Sequence, residues 1–324
     1  MRNLSIFNQG FWLGCSSLLV TLAMTPNVSA TEINERKTLP DSAQIQIENM
    51  RGQVTLTASA DRSVSVTGTL DPLAERFEFE QRGNTLYIVV KMPSDRRSWN
   101  DEPGSDLRIT IPANTTTNFA GVSSNISASG IVGDLALETI SGDVEVDNSQ
   151  GSLRLSSISG DVESRGNTGT ANFQTVSGEV SDRQSTYTEA KFASVSGEVE
   201  VDVDAKRVSV EAVSGDIELR LAATEQLQIR AVSGDISIAT SLLEGGSIRG
   251  NSVSGNVVLA LYGELNAELD LSTNAGGDIR NQLSPAAAEK AKYGPARWLQ
   301  TRVGEGAGSI NVTTVSGDIV LTRK

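Results

Sequence analysis

The chain has 324 residues, with 40 Asp and Glu against 27 Lys and Arg, a formal net charge of −13, one cysteine and no histidine. That charge opposes nucleic acid and anionic lipid headgroups as partners. The missing histidine removes the commonest general base, the commonest transition-metal ligand and every Ser-His or Cys-His nucleophile pair, which disfavours much of enzymology.

Arg2 opens a short basic region, "SSLLVTLAM" from Ser16 to Met24 supplies an apolar core, and "NVSA" ending at Ala30 puts small residues where signal peptidase cuts. Residues 1–30 are therefore expected to be a signal peptide cleaved after Ala30, and the product to be exported, periplasmic or at the cell surface. The apolar run is shorter than the roughly 20 residues of a spanning helix, and no later segment comes close, so no integral membrane segment is expected in the mature chain. Gly14-Cys15 resembles a lipid-attachment site, but most of the apolar core follows the cysteine instead of preceding it. Cleavage removes one base and the only cysteine, leaving a charge of 26 − 40 = −14 and no disulfide or thiol chemistry.

Residues 31–112 are expected to form an N-terminal β cap and entry. "IQIENMRGQVTLTA", "SVSVTGTL", "FEFEQRGNTLYIVVKMP" and "LRITIP" all alternate like strands, and "NMRGQV" resembles a looser copy of the turn described next. Within them Met92 to Asp106 reads as a polar loop carrying Arg96, Arg97 and Trp99, a tip for a sugar or anion or else a loop folded back on the cap.

From residue 113 one turn recurs: VSSNI at Val122, ISGDV at Ile140 and Ile158, VSGEV at Val176 and Val195, VSGDI at Val213 and Val232, VSGNV at Val253, AGGDI at Ala275 and VSGDI at Val315. The first eight intervals run from 18 to 22 residues and the last is 40. The position after the acidic column is always Ile or Val, as a buried strand residue requires. Glycine fills the third column at Gly142, Gly160, Gly178, Gly197, Gly215, Gly234, Gly255, Gly277 and Gly317, implying positive φ or a backbone too crowded for Cβ. Between turns the pattern has period two, with Leu227, Ile229 and Ala231 against Gln226, Gln228 and Arg230. Constant spacing with one repeated turn predicts an all-β fold, a parallel β-solenoid (β-helix-like) of about ten 18–22-residue rungs across residues 113–324. Sandwiches and barrels do not repeat a turn sequence in this way.

Asn125, Asp143, Asp161, Glu179, Glu198, Asp216, Asp235, Asn256, Asp278 and Asp318 make an acidic column. Stacked in register, neighbouring carboxylates about 5 Å apart repel by roughly 0.8 kcal/mol in water. Asp143, Asp161, Asp216, Asp235, Asp278 and Asp318 are weak candidates for collecting Ca²⁺, because calcium wants 6 to 8 oxygens and each rung offers one carboxylate. The alternative is a set of solvated turn residues bonding their own backbone. No cofactor is otherwise expected. Residues 281–308 interrupt the period: Ser284-Pro285 before "AAAEKAKY" predicts a short helix ended at Gly294-Pro295, and "ARWLQTRVGEGAG" leads back to the last rung, with Trp298 placed to seal the open edge.

"IENMRGQVTLTA", "LRITIP", the VSGDI run and the closing "GAGSINVTTVSGDIVL" resemble the bacterial family labelled putative adhesin, a domain of unknown function built of β-strand repeats, with a weaker likeness to the auto-transporter adhesin head GIN domain. The resemblance covers nearly the whole mature chain and implies an envelope or surface location and an interaction role. It carries over no catalytic or binding residue, and no anchor or export module of a surface adhesin is visible. The expectation is a non-catalytic binding or structural module of the cell envelope, with an envelope protein or glycan as partner. The alternatives are a carbohydrate-active β-helix enzyme using paired carboxylates such as Glu200 with Asp202 or Glu145 with Asp147, and a cation-binding envelope-stress component.

Overall fold

Period-two alternation drives this chain into strands with one face buried. Leu227, Ile229 and Ala231 point into the core while Gln226 and Arg230 stay exposed, and the Ile or Val after the acidic column is buried in every copy from Ile126 to Ile319. The structure is a computed structural model that describes residues 31–40, 43–94 and 103–324. The expected signal peptide, Cys15 and the loop residues Arg96, Arg97 and Trp99 lie outside them.

The described residues form one 23-stranded sheet wound into stacked coils. A coil carries two strand runs meeting at the Ser-Gly-Asp corner, for example Gln150–Ser157 and Val162–Arg165. Each pairs parallel and in register with its equivalents above and below: Leu153 with Leu135 and Ala171, Val162 with Val144 and Val180. At the opposite corner Gly130, Asn148, Gly166 and Gln184 all take left-handed φ, from 48° to 71°. Between the two runs lies one continuous apolar core reaching from Leu39 to Leu321, with Phe119, Phe173 and Phe192 filling one column of it.

The coils do not stack in sequence order at either end. The closing strand, Gly308–Ser316, pairs with Ile236–Ser254 on one side (Ile248↔Ile310) and with Ala267–Thr273 on the other (Leu269↔Ile310). The last copy of the turn is thus inserted between the Val253 and Ala275 copies. At the start, Gln44–Ser59 pairs with Thr116–Ser129 on one side and with Thr85–Lys91 and Ser105–Pro112 on the other. Gly52 stands opposite Ser124 and so joins the turn column, which therefore is not a run of ten. Antiparallel strands cover both ends: Ser63–Thr69 on Ser105–Pro112 with Glu32–Thr38 outside it, Arg76–Arg82 on Thr85–Lys91, and Arg297–Val303 on Ala267–Thr273. Antiparallel neighbours need only short connections, and they occupy edges that would otherwise template strand addition.

Residues 281–308 contain no helix, which corrects the helical excursion expected there. Ser284 does not cap a helix; its Oγ accepts from Asn281 Nδ2 at 2.7 Å, and the same amide nitrogen reaches Ala286 O at 3.2 Å. Glu289–Lys290 pairs antiparallel with Arg297–Val303 instead. A segment as short as 285–293 is marginal as a helix by itself, whereas here it adds two register pairs to the outer side of Arg297–Val303, the strand that covers the edge of the stack. Trp298 is half-buried on that strand, opposite Ser272.

Candidate functional site

The Ser-Gly-Asp corner is built by close approach of successive coils. A Cβ on any glycine of the column would fall 1.8–2.3 Å from a carbonyl oxygen of the neighbouring coil. Gly178 and Gly215 separate the two possible reasons for glycine. Gly215 has φ +140° whereas Gly178 lies outside that region, yet their Cβ atoms would meet Gly160 O at 2.1 Å and Gly197 O at 2.3 Å. Crowding is the requirement common to the column. Gly133, Gly151 and Gly169 form a second such ladder, in which a Cβ on Gly169 would lie 2.1 Å from Gly151 O.

The acidic column knits coils together. Asp161 N donates to Asp143 Oδ1 at 3.1 Å, Asp235 N to Asp216 Oδ1 at 2.8 Å, Asp318 N to Asn256 Oδ1 at 3.0 Å, and Asp278 N to Asp318 Oδ1 at 2.8 Å. The acidic-column side chains thus bond the backbone of the neighbouring coil, and Asp278 alone of these also accepts within its own turn, from Ile279 N at 3.1 Å. Asp278 also pairs with Arg297 at 2.7 Å and Asp318 with Arg280 at 2.9 Å. Partial burial, followed by the charges of Glu198 and Asp161, raises the pKa of Glu179. Among the described residues no group of three or more His, Cys, Asp or Glu is placed to hold a metal ion.

The first residue of the motif carries the feature that the sequence reading passed over. Ile140, Ile158, Val176, Val195, Val213, Val232, Val253 and Val315 are 40–49 % exposed, one per coil on eight successive coils. At about 4.8 Å per coil this makes an apolar ladder roughly 34 Å long. Isolated exposed aliphatics are ordinary, but a contiguous row marks an interaction surface. Beside it runs a groove of about 440 Å³. Its floor is Ser157, Thr175, Ser194, Ala212 and Ala231, all buried, and its far wall includes Ser156, Gln174, Glu211 and Arg230. The floor hydroxyls are already committed: Ser157 donates to Gly142 O at 2.9 Å, Thr175 to Gly160 O at 3.1 Å and Ser194 to Gly178 O at 3.4 Å. The ladder's backbone carbonyls are spent too, with Ser177 N on Ile158 O at 2.9 Å and Ser214 N on Val195 O at 2.8 Å. What the groove offers a partner is shape and aliphatic surface.

The opposite corner hides a polar cluster inside the core. Asp182 is fully buried where neighbouring coils place Val146, Ser164 and Val201, accepts from Ser185 Oγ at 2.6 Å, and leaves Oδ2 without a partner. Burial pushes its pKa up to about 6, against the hydrogen bond from Ser185 that pulls it down. Asn167 ties the same corner together, accepting from Ser149 N at 2.6 Å and donating to Val146 O at 2.9 Å.

Of the carboxylate pairs, Glu200 is held by Arg183 at 2.8 Å, and this hydrogen bond lowers its pKa. Glu145 and Asp147 line a shallow hollow of about 230 Å³ together with Arg165 and Arg183. No helix among the described residues is long and apolar enough to cross a membrane.

A family model described as Toastrack DUF4097 matches residues 42–322. No curated protein matches the chain. Among solved structures, one described as a putative lipid binding protein from Parabacteroides distasonis is 14 % identical, with 90 % of this chain and 96 % of that one covered at a TM-score of 0.45. A putative adhesin from Bacteroides fragilis is 16 % identical, with 91 % and 98 % covered at 0.38. A putative cell adhesion protein from Clostridium sporogenes is 8 % identical, with 91 % and 100 % covered at 0.29. Likenesses of this depth carry no functional weight.

Proposed function

The chain belongs to the Toastrack DUF4097 family, and from there we propose that it is an exported, non-catalytic binding or structural module of the cell envelope that associates through its aliphatic ladder. The single observation behind this reading is the row from Ile140 to Val315, one exposed Ile or Val on each of eight successive coils, flanking a groove of about 440 Å³. Leaving such a row in water forgoes on the order of 1 kcal/mol per residue, a cost that a covering partner removes. Export rests on the signal-like residues 1–30. The adhesin-like role agrees with the family resemblance of the VSGDI repeats.

The test compares envelope extracts from cells producing the wild-type chain or Val195→Arg/Val213→Arg. Wild type should migrate on native gels in a complex larger than one chain, and the variant as the free chain. Identical migration of the two would remove the ladder from the account.

A further inference from the structure

We propose that the partner on the ladder is a second copy of this chain, joined in a parallel two-fold dimer in which the ladder of each copy seats in the groove of the other. This rests on the reading above, that the ladder is the association surface, and names its occupant.

The ladder and the groove run side by side along the stack, sharing Ile158, Val176, Val195, Val213 and Val232 as ridge on one side and wall on the other. A two-fold axis lying between them, parallel to the stack, puts each ridge opposite the partner's groove. Such an isologous contact is self-complementary and closes at two copies. Both surfaces repeat once per coil, so along the five coils that line the groove side chains at about 4.8 Å spacing meet a floor with the same spacing. Small floor residues, Ser157, Thr175, Ser194, Ala212 and Ala231, leave room for the opposing Ile and Val.

Area and charge agree with this occupant. At 40–49 % exposure, each of the eight side chains leaves roughly 70 Å² in water. Two ladders then offer roughly 1,100 Å² for burial, roughly 700 Å² of it on the five coils that line the groove, against the ~1,000 Å² expected of a specific interface before any groove surface is counted. The same axis brings the acidic corner of one copy, Asp143 to Asp235, over the outer strand face of the other. That face carries Arg154, Lys191 and Arg249, all exposed. Lys191 pairs with Glu189 at 2.9 Å, whereas Arg154 and Arg249 form no ion pair among the described residues. Complementary charges across the rim fix orientation and offset the repulsion between two chains of net charge −13. An antiparallel pairing would instead set ladder on ladder and acidic corner on acidic corner.

Sedimentation equilibrium of the purified protein, obtained by expressing the full chain, tests this directly. Wild type should be a dimer. Val195→Arg and Val213→Arg should each raise the dissociation constant by roughly 30-fold or more, as central interface residues do, while keeping the wild-type β-sheet circular-dichroism spectrum, because both positions face solvent in the single chain. Arg154→Glu/Arg249→Glu should weaken the dimer and reduce its sensitivity to salt. A wild type that is monomeric at every concentration overturns the proposal, and if envelope complexes still depend on Val195, the broader reading survives with another partner. A dimer indifferent to Val195→Arg and Val213→Arg overturns the ladder contact. One that responds to these but not to Arg154→Glu/Arg249→Glu overturns the parallel arrangement.

Discussion

Gly178 and Gly215 illustrate how one column can be conserved in type within a chain for a reason that its dihedrals hide. If positive φ were the requirement, Gly215→Ala would destabilise and Gly178→Ala would be tolerated. Because both Cβ atoms would collide with a carbonyl of the neighbouring coil, each substitution should cost about 1–3 kcal/mol, the range for forcing extra atoms into a packed interior. Denaturant melts of the two variants decide it, and a near-neutral Gly178→Ala would restore the dihedral explanation. Asp182 poses the opposite kind of residue-scale question. Its folded pKa of about 6 lies above the ordinary 3.8, so the neutral form suits the fold. The stability linked to it is fully present below about pH 4 and lost as pH rises through 6, by on the order of 2–3 kcal/mol at neutral pH. Asp182→Asn should therefore be more stable than wild type at pH 7 and show a flatter stability between pH 4 and 7. A pH profile parallel to wild type would show that Asp182 is not the titrating group.

At the scale of strands, most of the coil was legible in the sequence because alternation and a repeated turn leave little freedom. The ladder was legible as well, had the alternation been carried one residue further: Leu227, Ile229 and Ala231 face inward, so Val232 falls on the outward face with Arg230. The helix expected at Ser284-Pro285 failed for a tertiary reason, since local capping signals are outweighed by an open strand edge nearby. The inserted coils at both ends were not legible, because strand order across a crossover leaves no trace in periodicity. Their test uses the absence of cysteine from residues 31–324. Ser254 is the register partner of Ser316, so Ser254→Cys/Ser316→Cys should cross-link on mild oxidation, at a Cα separation near the usual 5–6 Å. Ser254→Cys/Gly276→Cys, the pair that sequence-order stacking would make neighbours, should not. Efficient cross-linking of the second pair would put the coils back in chain order.

For the molecule as a whole, the stack is a rigid parallel scaffold whose two corners are held by side-chain ladders and whose ends are closed by antiparallel strands. Carboxylates at the Ser-Gly-Asp corner are used as acceptors for the neighbouring coil, so EDTA and millimolar calcium should leave the melting temperature unchanged; a rise of several degrees with calcium but not magnesium would make the column a metal site. What the scaffold leaves unspent is the aliphatic ladder. The most direct measurement places a photo-crosslinking residue at Val195, at Val213 and, as a control, at the exposed Val258, whose neighbouring strand residues belong to the opposite run of the coil. Illumination of intact cells should give adducts from the two ladder positions and none from Val258. Ladder positions that yield no adduct, or no more than Val258 does, would contradict the assignment of the ladder as the surface through which this protein works.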